Sequence, residues 1–392
     1  MPNPTSPFSW SVLSENLLFI LRLNIKINST MASPGSKSPS KSPPKSPPTT
    51  TAPAAVASDD EQEERNITLE ADDAIVADDA LLAGDDGYET DSFSNATTSI
   101  SSSIRNHEFE NSRRYHKFKE GRYHFPNDEP EQERENMKHV VVVHLCGGKL
   151  HAAPVENPQR ILDVGTGTGA WAIDVGDEYP EAEVIGIDLS PIQPTWVPPN
   201  VEFVVDDAEA EWVYPPDHFD LVHLRNMAVA VKDWPKIISQ AYTSLKPGGW
   251  IEIQEISWVY KCDDDTLTPD YGPVQMAQKM KESLLNMGVD IYAADKNPER
   301  VEEAGFANVW HKFLKVPVGP WAKDKALKQI GLYIRSIIYD GLQAVTMGPY
   351  TRGLGWKPEQ VEVFLAHVRK DLMNTSMHSY VQYHTLYGQK PV

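Results

Sequence analysis

Cysteine is almost absent: the 392 residues include only Cys146 and Cys262. Two thiols cannot build a disulfide framework, and neither stands at metal-ligand spacing from a histidine, so no metal site is expected. A reducing, intracellular setting, cytoplasm or nucleus, is the default. Positive charge is also scarce, with 36 Lys+Arg against 56 Asp+Glu and a formal net charge of -20. A protein that coats nucleic-acid phosphates needs a basic stripe, so nucleic acid is not an expected partner. Long apolar runs are missing as well. The segment Leu17 to Leu21 is closely flanked by Glu15, Arg22 and Lys26 and is too short to span a bilayer. It lacks the basic start and small-residue cleavage site of a secretory signal, so no membrane association is expected. A mitochondrial presequence, or a true start at Met31, are the readings left for residues 1–30.

The charge that is present lies unevenly. Between Asp59 and Asp91 fourteen acids face one base, Arg65, so this arm holds 13 of the 20 net negative charges. Residues 31–51 form a Ser/Pro/Lys tract in which Ser-Pro recurs; the expected reading is a solvated linker, the alternative a phosphorylation-sensitive or weakly DNA-groove-seeking tail to which Lys37, Lys41 and Lys45 lend a basic nuclear-import character. Neither stretch shows apolar periodicity, and residues 1–104 are expected to form a disordered tail.

From about Asn106 the texture turns globular, without internal repeats. Short β-branched runs, Arg160–Val164, Glu183–Leu189, Val201–Val205, Phe219–Leu224 and Trp250–Ile256, alternate with helical patterns. That alternation predicts an α/β fold, a parallel sheet with helices on both faces. The strongest local signal is Ile161-Leu162-Asp163-Val164-Gly165-Thr166-Gly167-Thr168-Gly169-Ala170-Trp171, a strand entering a glycine-rich turn and then a helix. Glycines let the main chain approach a ligand, and the helix start offers free N–H groups. Gly165, Gly167 and Ala170 also satisfy a dinucleotide fingerprint. Asp188, at the end of the second strand, suits a ribose hydroxyl pair in a nicotinamide dinucleotide or an adenosyl cofactor.

Three features separate these two. Asp163 sits two residues before the first glycine, Asp206-Asp207-Ala208 closes the third strand, and Leu245-Lys246-Pro247-Gly248-Gly249-Trp250 precedes the fifth. In this order they resemble the motifs of S-adenosylmethionine-dependent methyltransferases. Residues 158–212 resemble the fungal LaeA-like, or TAM-domain, methyltransferases. The likeness extends to the aromatic segment Arg114–Tyr123, to Leu354-Gly355-Trp356 and to Val368–Leu372, covering roughly residues 105–390.

The resemblance implies a Rossmann-like, class I sheet of seven strands, with the sixth at Val309–Val316 and an antiparallel seventh at Met377–Leu386. Helical patterns at Lys323–Leu342 and Pro358–Met373 would form an insertion between them, read as a substrate-shaping cap over residues 320–375. The implied organisation is a tail (1–104), an N-terminal cap or flap segment (105–157) and a methyltransferase domain (158–392). The implied cofactor is S-adenosyl-L-methionine. Gly165, Thr166, Gly167 and Gly169 would bracket its amino-acid part, with Asp163 near the ammonium, Asp188 at the ribose and Asp207 with Ala208 at the adenine. Tyr123 would belong to a flap over the pocket, the alternative being an amphipathic helix end.

On the acceptor side, His223 and Arg225 end the fourth strand, where the fold faces the transferred methyl, and His223 is the candidate base. The competing expectation is a buried, hydrogen-bonded histidine. No Asn-Pro-Pro-Tyr occurs there, which disfavours amino-methylating DNA and protein enzymes. The expected activity is methylation of a small-molecule or peptide natural product in fungal secondary metabolism. The alternatives are a nuclear regulator that partners velvet-type proteins, an NAD-binding oxidoreductase and a non-catalytic binding module. Asp263-Asp264-Asp265 reads as a solvated turn. Trp196, Trp212 and Trp234 read as core.

Overall fold

The computed structural model describes Ile75, residues 107–110, 113–116 and 123–392. The Ser/Pro/Lys tract, residues 17–21 and all of the acidic arm except Ile75 lie outside the described residues. Two short strands, β1 (His107–Glu110) and β2 (Arg113–His116), form an antiparallel ladder. The segment around Tyr115 is therefore strand, not the end of an amphipathic helix. Helix α1 (Glu129–Leu145) follows, capped by Asp128, whose carboxylate accepts the Glu131 N–H, with Pro130 in its first turn.

The main sheet contains β3 (Arg160–Val164), β4 (Glu183–Asp188), β5 (Val201–Val205), β6 (Phe219–Arg225), β7 (Leu245–Ile256), β8 (Ala307–Pro317) and β9 (Tyr380–Gln389). Its order is β5-β4-β3-β6-β7-β9-β8. The first five are parallel, and β9 enters antiparallel between β7 and β8. This is the class I methyltransferase architecture. The intervening helices are α2 (Ala170–Glu178), α3 (Trp234–Ser244), α4 (Gly272–Asn286) and α5 (Ala293–Glu303). Two more, α6 (Lys325–Gly353) and α7 (Pro358–Leu372), are the insertion between the last two strands.

Helices cover both faces, so apolar residues fill β3 nearly without a break. Leu162 and Val164 pack toward Trp234, Ile237 and Ile238 of α3, while Ile161 packs toward Trp171, Ala172 and Val175 of α2. A third cluster joins Phe125 to Met276 and Met280 of α4, Leu342 and Val345 of α6 and Leu365 of α7. The insertion thus builds its own apolar layer beside the sheet.

Several element ends differ from the expected ones. β7 starts at Leu245, not Trp250. Gly248 N–H donates to Lys390 O and Lys390 N–H to Gly249 O, both at 2.8 Å, which draws the Pro-Gly-Gly turn into the sheet. α6 runs past Leu342 and through Pro349 to Gly353. Its last turns are held by burial, and the Tyr350 hydroxyl donates to Met276 O at 2.8 Å. Among the described residues, no helix is long and apolar enough to cross a membrane.

Candidate active site

The glycine turn between β3 and α2 is tied to β4, where Ile187 O accepts the N–H groups of Gly165 and Thr166 at 2.9 Å. Gly167 (φ 58°) and Gly169 (φ 80°) both occupy the left-handed region. A Cβ on Gly169 would lie 2.3 Å from the Phe203 ring, whereas a Cβ on Gly167 would meet nothing within 4 Å. Gly169 therefore serves packing, and Gly167 leaves bare main chain facing open space. The Thr166 hydroxyl is buried beside it without a protein partner.

Asp188 ends β4 opposite the turn. Its Oδ2 accepts the Gly167 N–H at 2.9 Å and its Oδ1 the Ser190 N–H at 2.8 Å. Burial, with Asp163 adding repulsion, pushes its carboxyl up to about 6 against those two hydrogen bonds. Asp207 follows β5, is 5% exposed, and accepts the Glu209 N–H at 3.0 Å. The neighbouring Ala208 carbonyl accepts the Trp212 indole N–H at 2.9 Å.

These groups form one wall of a cavity of about 250 Å³, with Arg225 and Met227 from the end of β6. Tyr123, Phe125 and Asn127 line it from the segment before α1. The Tyr123 hydroxyl is pushed well above its ordinary value by burial, with Glu135, Glu131 and Asp188 adding to the shift. A charged stripe on α1, Glu131, Arg134, Glu135 and Lys138, also faces the cavity. The farther wall is apolar and comes mainly from the insertion: Ile334, Ile337, Ile338 and Val345 of α6, joined by Met276 and Trp258. A smaller recess adjoins the turn, lined by Asp163, Thr166, Gly167, Lys138, His139 and Arg225. In it Arg225 Nη2 donates to His139 Nδ1 at 2.8 Å, which leaves His139 Nε2–H to donate to Asp174 at 2.9 Å.

The glycine turn, the two strand-end acids and the recess fit an adenosyl cofactor. Gly167 is open to a close approach, and the buried Thr166 hydroxyl lacks the partner that a polar ligand would supply.

A methyltransferase-domain family model matches residues 135–311. The methyltransferase pytC of Aspergillus terreus is 41% identical over 307 residues, 77% of this chain and 93% of that protein. The secondary metabolism regulator LAE1 of Cochliobolus heterostrophus is 38% identical over 289 residues, 72% of this chain and 94% of that protein. The chain belongs to the LaeA-like methyltransferases. The protein-methionine methyltransferase laeA of Emericella nidulans is 31% identical over 285 residues, 72% of this chain and 76% of that protein. The LaeA-like chain is an S-adenosylmethionine-dependent methyltransferase of fungal secondary metabolism, and the oxidoreductase alternative is set aside.

In this LaeA-like site, Gly165, Gly167, Asp188, Asp207, Ala208, Arg225 and Tyr123 meet at one cavity, and Asp163 and Thr166 at its recess. Gly169 instead packs under the turn. His223 stands apart, which corrects its reading as the base. Parallel register sets His223 opposite Asp163, on the face of the sheet covered by α2. Its ring is 0% exposed, stacks on Trp171 at 3.6 Å between centroids, and holds Asp163 Oδ1 at 2.8 Å through Nδ1. It has no surface on the cavity, as the buried-histidine alternative requires.

Glu255, near the end of β7, is the acid that the sequence reading overlooked. It lines the cavity, is 2% exposed, and accepts the Met227 N–H at 2.7 Å. Burial raises its carboxyl to about 8, with Lys138 opposing the shift. Among the tryptophans, Trp234 is core and Trp212 packs against it, but Trp196 is 93% exposed and belongs to neither core nor cavity. Asp263 pairs with Lys315 and Asp264 with His378, so the acidic triplet does not converge on one point.

Proposed function

We propose that this LaeA-like enzyme methylates an apolar small molecule at one polar atom. The supporting observation is the division of the cavity, whose cofactor end is polar and whose α6 end is lined by Ile334, Ile337, Ile338 and Val345. An apolar acceptor body gains about 25 cal/mol for each Å² of apolar surface removed from water there. In this reading Gly165, Thr166 and Gly167 hold the amino-acid part of the cofactor and Gly169 keeps the turn in shape. Asp163 lies near the ammonium, Asp188 takes the ribose hydroxyls, and Asp207 and Ala208 flank the adenine. Arg225, through His139, orients the recess, and Tyr123 closes the pocket from the N-terminal side. When bound, the cofactor supplies a methyl carbon already made electrophilic by its sulfonium. The protein's task is positioning and water exclusion. Glu255 exchanges a proton with the acceptor from the cavity wall: with its carboxyl near 8 it holds its own proton at neutral pH and takes up the acceptor's as pH rises and it ionises.

The test offers purified protein and labelled S-adenosylmethionine a panel of apolar phenols and enols beside short peptides. Labelling of the apolar set, with Ile338→Glu raising the acceptor KM at unchanged cofactor affinity, supports the reading. Labelling of peptides alone defeats it. A second reading rests on the resemblance to LAE1, named a regulator: a nuclear protein working with velvet-type partners. It predicts that a Gly167→Asp chain unable to bind cofactor still restores the metabolite profile of a deletion strain. The small-molecule reading predicts no restoration and admits a cytoplasmic location.

A further inference from the structure

One residue of the acidic arm, Ile75, is among the described residues, and it is packed against the folded chain. It packs against the cluster formed by Trp321, Ala322, Leu327 and Tyr380, which is separate from the three clusters described above. Its N–H donates to Asp263 Oδ2 at 3.3 Å. The socket is well built: the Trp321 indole N–H donates to Ser379 O at 2.9 Å, and Lys315 ties Asp263 in place at 3.0 Å. Leu327 sits in the first turn of α6, where Asp324 accepts the N–H groups of Ala326 and Leu327 at 2.9 Å.

The two rims of the socket differ in charge. On one side the start of α6 brings Lys323, Lys325 and Lys328 against the single acid Asp324, and the helix N-terminus adds its partial positive charge. On the other side Asp263 to Asp265 supply acceptors, of which Asp263 takes the arm's N–H. The arm's sequence has the matching pattern, Asp72-Asp73, then Ala74-Ile75-Val76-Ala77, then Asp78-Asp79. We propose that residues 72–79 dock in cis on this socket, an apolar plug centred on Ile75 whose acidic residues are drawn to the lysine rim at the start of α6 while Asp263 holds the main chain, and so brace that helix. A segment tethered to its own chain has an effective concentration on the order of millimolar, so a contact that is weak between separate molecules is well occupied within one.

The consequence reaches the cavity. The turn of α6 that receives Ile75 is continuous with the turns carrying Ile334, Ile337 and Ile338 into the cavity wall. The arm holds the near end of a helix whose next turns shape the acceptor chamber. The proposal is independent of what the acceptor is.

The test is amide hydrogen exchange on the full chain, comparing wild type with Ile75→Asp and with a variant carrying Asn at Asp72, Asp73, Asp78 and Asp79. Residues 321–330 should exchange at least about 10-fold faster in Ile75→Asp and several-fold faster in the Asn variant, with β3 and β4 unchanged. A synthetic peptide of residues 68–83, added to the Ile75→Asp chain, should slow that exchange again at about 50 mM salt and much less at about 500 mM, where charges are screened. Equal exchange at residues 321–330 in wild type and Ile75→Asp overturns the proposal. Protection that rises with protein concentration also overturns it, because the occupant would then be a second copy.

Discussion

Glu255→Gln gives the sharpest test of the site's electrostatics, because one buried carboxyl should both cost stability and serve the reaction. Its carboxyl stands at about 8 in the folded protein against an ordinary 4.5. Between those values the folded chain keeps a proton that the unfolded chain has released, so stability falls as pH rises from 4.5 to 8 and levels off above. At about 1.4 kcal/mol per unit, the loss reaches roughly 3 kcal/mol at pH 7 and 5 kcal/mol above pH 8. Glutamine has nearly the same shape, can still accept the Met227 N–H, and does not titrate. The groups that bear on Glu255 are Lys138 on α1 and Tyr383 on β9, and the substitution retains both. Urea unfolding at pH 5, 7 and 9 should show the two proteins nearly equal at pH 5 and the variant more stable by several kcal/mol at pH 9. At pH 9, where the carboxylate is ionised, methyl transfer should drop at least about 10-fold in the variant, consistent with loss of a proton acceptor. A stability difference that stays constant across that pH range would refute the reasoning.

The glycine turn supplies a paired prediction. Gly169→Ala combines left-handed strain with a collision against Phe203 and should destabilise by roughly 3 kcal/mol. Gly167→Ala carries the strain alone, about 1 kcal/mol, yet should weaken cofactor binding at least about 10-fold in calorimetry by placing a methyl in the approach to the main chain. His223→Phe leaves the Asp163 carboxylate buried without its partner, a change expected to cost about 3–5 kcal/mol in urea unfolding. It should not alter the acceptor KM of the protein that remains folded; a large rise in that KM would return His223 to the acceptor side. Tyr123→Ala should lower cofactor affinity, and unchanged calorimetry would count against its role in closing the pocket.

Much of the fold was legible because its signals are local. An apolar run, three alternating glycines and an acid at the end of the next strand specify β3, the turn and β4 over about thirty residues. Helix α1 was not legible as part of the site, for the opposite reason. The face it turns to the cavity carries Glu131, Arg134, Glu135 and Lys138, spaced i, i+3, i+4, i+7, a pattern that reads as a solvated stripe. Mutual pairing, Arg134 with Glu131 and Lys138 with Glu135, offsets the cost of removing those charges from water. For His223 the strand end leaves a base and a buried histidine both open; parallel register, which sets it beside Asp163 and under Trp171, is a long-range fact that one strand's sequence does not carry. Glu255 gave no signal, since acids in a strand, here Glu252 and Glu255, ordinarily read as outward ones. Trp196 shows the converse: a large aromatic residue can stand exposed, and its size alone does not assign it to a core.

The placement of β9 constrains how the molecule can be made. Among the described residues β8 meets the main sheet solely through β9, and β9 follows α6 and α7 in the sequence. On the ribosome, the five parallel strands and the glycine turn emerge early, but β8 has no strand to pair with until residues 380–389 appear. Until then the open edge of β7 exposes unpaired main-chain groups, a template for the wrong neighbour. β9, made after every other strand of this sheet, therefore joins its two parts, and a nascent chain stalled before it carries an unfinished sheet and a cavity without Val381 in its wall.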